Sequence, residues 1–127
     1  MPILACAAGM KRLTWLGDSR VKLKAFPPPV QDDIGYALYV AQLGDAHHSA
    51  KTLHGLGSGV MEIVSNDPSG TYRAVYTVSI GDSIYVVHAF QKQSKAGFAT
   101  PKTEIEVVRR RLKQLRSEVK NAENKTS

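Results

Sequence analysis

Lys92 and Lys95 follow directly on an apolar stretch of strong strand character, "IYVVHAF". Lysines at the end of a strand usually serve only to keep that end hydrated. They acquire a chemical use if a neighbouring strand places a further cation beside them, because clustered cations bind phosphate groups. Arg73 in the preceding stretch, "GTYRAVYTV", is such a cation. Whether these side chains meet depends on the register of the two strands.

The turn between the two strands determines which side chains share a face of the sheet. With Gly81 and Asp82 as the two loop residues, alternation along each strand fixes the pairing. The predicted pairs are Ile80 with Ser83, Val78 with Tyr85, Val75 with His88, and Arg73 with Phe90. One face then carries Arg73, His88, Phe90 and Lys92, and the other carries Tyr72, Tyr76, Tyr85 and Val87. Two cations, an imidazole and an aromatic ring could hold a phosphate with a nucleobase stacked beside it.

Each member of this patch also has a purely structural interpretation. Arg73 could be a solvated strand end or half of an ion pair, and Lys92 and Lys95 could simply be hydrated. His88 among apolar neighbours is more often a hydrogen-bonded core histidine than a catalyst, and Phe90 is typical of a core. The residues alone therefore predict a basic domain able to bind RNA or DNA, without choosing a reaction.

Length and composition restrict the class of protein. The 127 residues suit one domain that buries its own core, and 43% hydrophobic residues argue against a disordered chain. The net charge of +6 favours an anionic partner such as nucleic acid. A single cysteine, Cys6, excludes an internal disulfide and favours a cytoplasmic location. No stretch approaches the roughly 20 apolar residues of a membrane span.

The elements of the first half can be assigned from periodicity and turn signals. Lys11–Leu16 predicts a first strand, and a helix begins at the prolines before Val30 and ends at Gly44. Helical spacing predicts the buried stripe of that helix as Val30, Ile34, Ala37, Leu38 and Ala41. Asp45 suits the N-cap of a short second helix, "AHHSAKTL", which Gly55 would close.

Three strands and a long helix make up the second half. The strands are separated by "NDPSG" and "GD", and a helix capped by Thr100 or Thr103 follows them. The apolar stripe of that helix is Ile105, Val108, Leu112, Leu115 and Val119. This order predicts an α+β fold: a small antiparallel sheet with helices packed on one face and a C-terminal helix. Residues 1–10 are expected to be a disordered extension, 11–120 one domain, and 121–127 a frayed tail.

Five strings that occur in one order carry a family resemblance. They are "DDIGYALYVAQLGD", "AKTLHGLGSGVMEI", "GTYRAVYTV", "IYVVHAFQKQSKAG" and "TPKTEIEVVRRRL". Together they resemble the phage-derived, HigB-like branch of the RelE/ParE toxin superfamily, over roughly Leu13 to Leu115. The resemblance implies the toxin of a type II toxin–antitoxin pair, with a small sheet and packed helices.

That resemblance also implies an activity and partners. Toxins on the RelE/HigB side cleave messenger RNA without a metal or other cofactor, often on the ribosome, and so inhibit translation. A helix-turn-helix antitoxin of the HigA type would be the protein partner, in a toxin–antitoxin hetero-oligomer. Two alternatives stay open: a ParE-like inhibitor of DNA gyrase without nuclease activity, and a non-toxic relic that only binds an antitoxin.

The family pattern assigns roles to individual residues. Arg73 would hold the scissile phosphate, and Lys92 would stabilise the transition state or protonate the leaving group. Lys95 would bind the RNA backbone, and Lys51 would bind it or act as the base. His54 would be a base unless it only caps a turn. His88 and Phe90 complete the predicted RNA-binding set.

The sequence departs from the family pattern at its C-terminal end. Beyond Lys95 there is no tyrosine, histidine or aspartate of the kind that some relatives use in the site. The general base therefore stays unassigned. The adjacent His47 and His48 would point to different sides of a helix, so no metal site is expected.

Overall fold

The computed structural model describes residues 10–92 and 101–126. Within these residues the chain forms one five-stranded sheet and three helices. In chain order they are β1 (Arg12–Trp15), α1 (Ser19–Lys24), α2 (Pro28–Gln42), β2 (Ala50–Thr52), β3 (Val60–Asp67), β4 (Gly70–Thr77), β5 (Ser83–Lys92) and α3 (Lys102–Thr126). The predicted α+β class and C-terminal helix are confirmed. The disorder predicted for residues 1–10 falls almost wholly outside the described residues.

The sheet is mixed, with strand order β1-β5-β4-β3-β2. β2 to β5 pair antiparallel, whereas β1 runs parallel to β5, with Leu13 opposite Ile84. The prediction of a wholly antiparallel sheet is therefore wrong for this edge strand. The reason is that α1 and α2 carry the chain from β1 across a face of the sheet to β2 at the far edge. Only the outer side of β5 is then left for β1.

Helices cover both faces of the sheet, which corrects the prediction of helices on one face. α1 and α2 pack on the face that carries Ala74, Tyr76 and Val86. α3 packs on the opposite face, against Val75 and Val87. The central strands present apolar side chains alternately to the two faces of the sheet. Helices therefore have to pack on both faces to remove these side chains from water.

The two long helices follow the predicted patterns. α2 begins at Pro28, where the missing backbone N–H of proline costs no helical hydrogen bond, and Gly44 follows it at a positive φ of 90°. All five residues of its predicted stripe are buried. In α3 the stripe is likewise confirmed: Val108, Leu112 and Leu115 are buried, and Ile105 and Val119 pack against them. The described helix continues to Thr126, beyond the residue at which the predicted domain ends.

The short elements were predicted less well. The helix predicted after Asp45 is wrong, because Ala50–Thr52 forms β2, which pairs antiparallel with β3. A helix there would have left the outer edge of β3 without hydrogen-bond partners. The helix α1 was not predicted, since its six residues carry no side-chain hydrogen bond at the N-cap and only one buried apolar residue, Leu23.

A β-bulge alters the predicted register close to the β4–β5 turn. Val75 pairs with His88 and Arg73 with Phe90, as predicted, but Tyr76 pairs with Val86, so that Val87 is the extra residue. The prediction that Tyr85 and Val87 lie on the face opposite Arg73 is therefore wrong. Both contribute to the cluster beneath α3. The prediction for Tyr72 and Tyr76 is right, because both pack beneath α1 and α2.

Candidate functional site

The face of the sheet beneath α3 carries the predicted patch. Residues that pair directly in an antiparallel sheet project to the same side, so Arg73, His88, Phe90 and Lys92 share this face. Lys51 on β2 pairs with Glu62 on β3, and Glu62 pairs with Val75. The same alternation therefore brings Lys51 and Glu62 onto this face.

Arg73 and Glu62 form a buried ion pair at the centre of the patch. The Nη1 atom of Arg73 donates to Oε1 of Glu62 at 2.9 Å, and the two residues are only 5% and 2% exposed. Two charges removed from water in this way require partners, and each of these two is a partner of the other. Glu62 was not predicted as a site residue. A carboxylate within the apolar stretch "VMEIV" was the available signal, since such a group is rarely buried without a partner.

Lys92 is the second cation of the patch and is 8% exposed. Burial lowers its pKa below the ordinary value, and the positive charges of Arg73 and Lys51 lower it further. The carboxylate of Glu62 acts in the opposite direction. An ammonium group held this way gives up its proton more readily than an exposed lysine does, which suits a proton donor.

The other predicted site residues lie at different distances from this pair. Lys51 is exposed on the edge strand β2, where its charge influences Lys92. His54 is exposed in the turn after β2, and no hydrogen bond or ion pair within the described residues joins it to Arg73 or Lys92. Lys95 and Thr100 lie outside the described residues. The catalytic and RNA-binding roles of these residues stay predictions.

His88 belongs to a second network on the same face, which links the sheet to α3. Its Nε2 atom lies 2.6 Å from Oε1 of Glu104, and its Nδ1 atom lies 3.3 Å from Nη1 of Arg111. Since a guanidinium can only donate, Nδ1 is the acceptor and Nε2–H donates to Glu104. The His88 ring also stacks on Phe90, with centroids 5.3 Å apart. Both side chains thus have partners within the protein.

Arg111 extends this network to the loop before α1. Its Nη1 atom donates to the carbonyl oxygen of Val87, and its Nη2 atom donates to Oδ1 of Asp18 at 2.9 Å. That hydrogen bond and the charge of Arg111 hold the pKa of Asp18 below its usual value. Gly17 packs so closely that an added Cβ would lie 2.6 Å from Cζ of Arg111. The Asp18–Arg111–His88–Glu104 network, called the α3 clamp below, fastens the helix to the sheet.

A cavity of about 590 Å³ lies beside the clamp, between α1 and the part of β5 that runs from His88 to Gln91. Its lining includes Lys22, Phe26, Tyr72, His88 and Glu104, but neither Arg73 nor Lys92. The Arg73–Lys92 patch is therefore a separate feature. Within residues 10–92 and 101–126, no three histidine, cysteine, aspartate or glutamate side chains converge as a metal would require. No helix in the same residues is both long and apolar enough to cross a membrane.

Fold and patch together define a basic α+β domain whose central sheet collects positive charge on one face. A family model described as phage-derived protein Gp49-like (DUF891) matches residues 21–113, which is more than half of the chain. The chain therefore belongs to the Gp49-like family, which is a RelE/toxin-like family. A search of curated proteins finds no match.

Proposed function

We propose that this protein is the toxin of a type II toxin–antitoxin pair, on the HigB-like side of its superfamily, and that it cleaves messenger RNA. The observation that supports this most is the cluster of cations in the patch. Arg73 and Lys92 are buried close together near the carboxylate of Glu62, and the charge of Lys51 reaches Lys92 from the neighbouring strand. Clustered cations of this kind bind a phosphodiester.

The proposed reaction is a transesterification that requires no metal. The 2′-hydroxyl oxygen attacks the adjacent phosphorus, the bond from phosphorus to the 5′-oxygen breaks, and a 2′,3′-cyclic phosphate and a 5′-hydroxyl result. Arg73 holds the phosphate and stabilises the negative charge that develops on it, because its guanidinium can donate two parallel hydrogen bonds. Lys92 donates a proton to the departing 5′-oxygen, a role favoured by its lowered pKa.

The 2′-hydroxyl must lose its proton to a base, and we assign that role to Glu62. It is the carboxylate of the patch, and its partner Arg73 is the residue that would turn towards the substrate phosphate. The exchange of Arg73 from carboxylate to phosphate would make Oε1 of Glu62 available as an acceptor. His54, the base considered from the sequence, has no described contact with the patch.

Lys51 and Lys95 would bind the RNA backbone on either side of the scissile phosphate. The messenger RNA would be cleaved on the ribosome. The remaining partner would be a helix-turn-helix antitoxin that neutralises the toxin in a hetero-oligomer in the cytoplasm.

The test is cleavage of a defined messenger RNA by the purified protein, with and without ribosomes, in buffer that contains EDTA. Lys92→Met preserves the length of the side chain and removes its charge, and it is expected to slow cleavage by about 100-fold or more. Arg20→Ala is the matched control, because it removes an exposed cation from α1 and should leave the rate unchanged. A 2′-deoxy nucleotide at the cleavage position should block the reaction completely.

Other outcomes would contradict the proposal. Cleavage of the 2′-deoxy substrate, or unchanged cleavage by a folded Lys92→Met variant, would exclude the assigned chemistry. Growth arrest with intact messenger RNA and DNA-damage signalling would instead identify a gyrase inhibitor of the ParE type. Stable expression without any growth defect would identify a relic without toxicity.

A further inference from the structure

The outer side of α2 exposes an unusual amount of apolar surface. Tyr36 is 58% exposed, Tyr39 43% and Leu43 53%, and they are three of the four large hydrophobic side chains that the described residues expose. They lie four, seven and eleven positions after Asp32, so all four residues form one stripe along the helix. The buried stripe of α2 faces the sheet, so no described helix or strand covers this second stripe. Clustered exposed apolar side chains of this kind mark interaction sites.

The stripe is part of a preformed aromatic surface. The rings of Tyr36 and Tyr39 lie 6.3 Å apart, and the His47 ring meets Tyr36 edge to face at 5.4 Å. His47 is itself held by Ser49, whose Oγ lies 2.8 Å from Nδ1, and its ring centroid lies 4.1 Å from that of His48, with the rings tilted by 35°. Aromatic anchors that are already ordered lose little conformational freedom on binding. Tyr36, Tyr39, Leu43, His47 and His48 are called the aromatic face below.

The segment that carries the aromatic face has a charge opposite to that of the whole chain. Residues 25–50 contain no lysine or arginine, whereas the whole chain carries +6. The charged residues of this segment are all aspartates, Asp32, Asp33 and Asp45, and all three are exposed. Lys11 lies near the C-terminal end of α2, where it lines a small cavity together with Asp45. The exposed carboxylates, which outnumber this cation, favour a cationic partner over the phosphates of nucleic acid.

The length of this stripe indicates which kind of partner fits it. The stripe from Asp32 to Leu43 rises about 16 Å along the helix axis, which equals roughly three turns of a second helix. Helices pack side by side through such stripes, and the side chains of one helix fit between the side chains of the other helix. A second copy of this chain is a poor candidate, since a two-fold contact would place like aspartates against each other.

We propose that the aromatic face binds an amphipathic, lysine- or arginine-rich helix of a partner protein. Aliphatic side chains of that helix lie against Tyr36, Tyr39 and Leu43, and its basic side chains lie near Asp32 and Asp45. Because α2 covers the face of the sheet opposite Arg73 and Lys92, the bound helix leaves the basic patch open. This inference does not depend on the reaction proposed above.

The experiment uses the full chain and two synthetic 18-residue amphipathic peptides, one of leucine and lysine and one of leucine and glutamate. Fluorescence anisotropy of the labelled peptides at about 0.1 M salt measures binding. The leucine–lysine peptide is expected to bind despite the net positive charge of the protein, and Tyr36→Ala with Leu43→Ala should weaken it about tenfold. Asp32→Asn should weaken it by a few-fold, an effect that high salt removes.

Val21→Ser provides the matched control, because Val21 is 71% exposed on α1, outside the aromatic face. It should leave binding unchanged. Nitrogen-15 chemical-shift mapping on the wild-type protein gives a second readout that needs no variant, and shifts should centre on residues 36, 39, 43, 47 and 48. Thermal unfolding verifies that each variant is folded.

Four results would overturn the proposal. The first is equal binding of the leucine–lysine peptide to the double variant, and the second is equal binding of the leucine–glutamate peptide. A third is binding of a 12-nucleotide RNA that depends on Tyr36 and Leu43, which would make the aromatic face a nucleic-acid surface. The fourth is a wild-type dimer that the double variant dissociates in sedimentation, which would make it a contact between copies.

Discussion

The basic patch and the α3 clamp occupy the same face of one sheet and use the same kinds of residue, yet their charges differ. In the patch Arg73, Lys92 and Lys51 lie around the carboxylate of Glu62. In the clamp the guanidinium of Arg111 binds Asp18 and His88, and His88 in turn binds Glu104. Among the described residues, the patch is thus mainly cationic, whereas the clamp joins one cation to two carboxylates.

A basic or imidazole side chain on a sheet therefore indicates a function only when its partners are known. His88 and Lys92 are four residues apart on β5 and both were predicted to contact RNA. The clamp uses both ring nitrogens of His88 within the protein, whereas Lys92 is buried within reach of the charges of Arg73, Glu62 and Lys51. A cluster of cations suits an anionic substrate, and a network of mutually hydrogen-bonded side chains suits the attachment of a helix.

The largest expected effect comes from breaking the ion pair at the centre of the patch. Arg73→Met leaves Glu62 buried without its guanidinium, and we expect unfolding free energy to fall by about 3–5 kcal/mol. The double variant Arg73→Met with Glu62→Leu should recover most of that loss. Urea unfolding of the three proteins measures the effect. Equal stability of Arg73→Met and the wild type would mean that the Arg73–Glu62 ion pair does not form in solution.

The second largest effect is expected on the pH dependence of RNA cleavage, through the protonation of Lys92. If Lys92 donates a proton, cleavage requires its charged form, so the rate should fall about tenfold per pH unit above its folded-state pKa. That pKa lies below the ordinary lysine value because of burial and of the charges of Arg73 and Lys51. Glu62 opposes this shift, so in Glu62→Gln the pKa of Lys92 should move further down. Carbon-13 NMR titration of the lysine Cε atoms measures it in both proteins.

A rate that instead rises through the pKa of Lys92 would assign Lys92 as a base. The Lys92→Met background must be subtracted at each pH, because RNA hydrolyses spontaneously in alkali.

A moderate effect on stability alone is expected from the clamp. Glu104→Ala removes the acceptor of the Nε2–H group of His88, a side chain that is only 6% exposed. An unsatisfied buried donor costs about 1–3 kcal/mol, so unfolding free energy should fall by that amount. Cleavage at a temperature where the variant is folded should stay within about threefold of wild type. Loss of cleavage in the folded variant would place His88 in the reaction and remove the distinction between patch and clamp.

Glu106→Ala is the control for this measurement. Glu106 lies on the same turn of α3 but is exposed, so its removal should change the unfolding free energy by less than about 0.5 kcal/mol.

Comparison of the two networks also explains which parts of the site could be predicted from the sequence. The shared face of Arg73, His88, Phe90 and Lys92 followed from strand alternation, which is a local rule. The predicted register of β4 and β5 nevertheless differs from the observed one at two places near the turn, and the two differences cancel each other. The observed pairing of Thr77 with Tyr85 is one residue away from the predicted register, and the extra residue Val87 restores it. A bulge of this kind has no sequence signal.

The partners of these side chains could not be predicted because they are distant in sequence. Glu104 and Arg111 reach His88 because α3 packs on the face of the sheet that carries His88, and the sequence predicted that all helices would pack on one face. Glu62 reaches Arg73 from the neighbouring strand, and a carboxylate in an apolar strand indicates burial without identifying its partner. Periodicity thus predicted which residues share a face, and tertiary packing decided which of them are neutralised.

The smallest effect expected concerns the outer end of the clamp. The folded-state pKa of Asp18 is lowered from 3.8, mainly by its hydrogen bond with Arg111. A carboxyl group with a depressed folded-state pKa stabilises the protein above its unfolded-state pKa, and this stabilisation is lost as pH falls through the folded-state value. Because the Asp18 side chain is 48% exposed, solvent screening limits the contribution to about 0.5 kcal/mol.

Asp18→Asn should therefore be less stable than wild type by about that amount at pH 7 and equally stable near pH 2, as measured by urea unfolding. Asp82→Asn, an exposed aspartate in the β4–β5 turn, is the control and should show no difference at either pH. A difference between Asp18→Asn and wild type that persists at pH 2 would mean that Asp18 acts through packing. The clamp would then be a steric contact, and its contrast with the charged patch would lose its electrostatic basis.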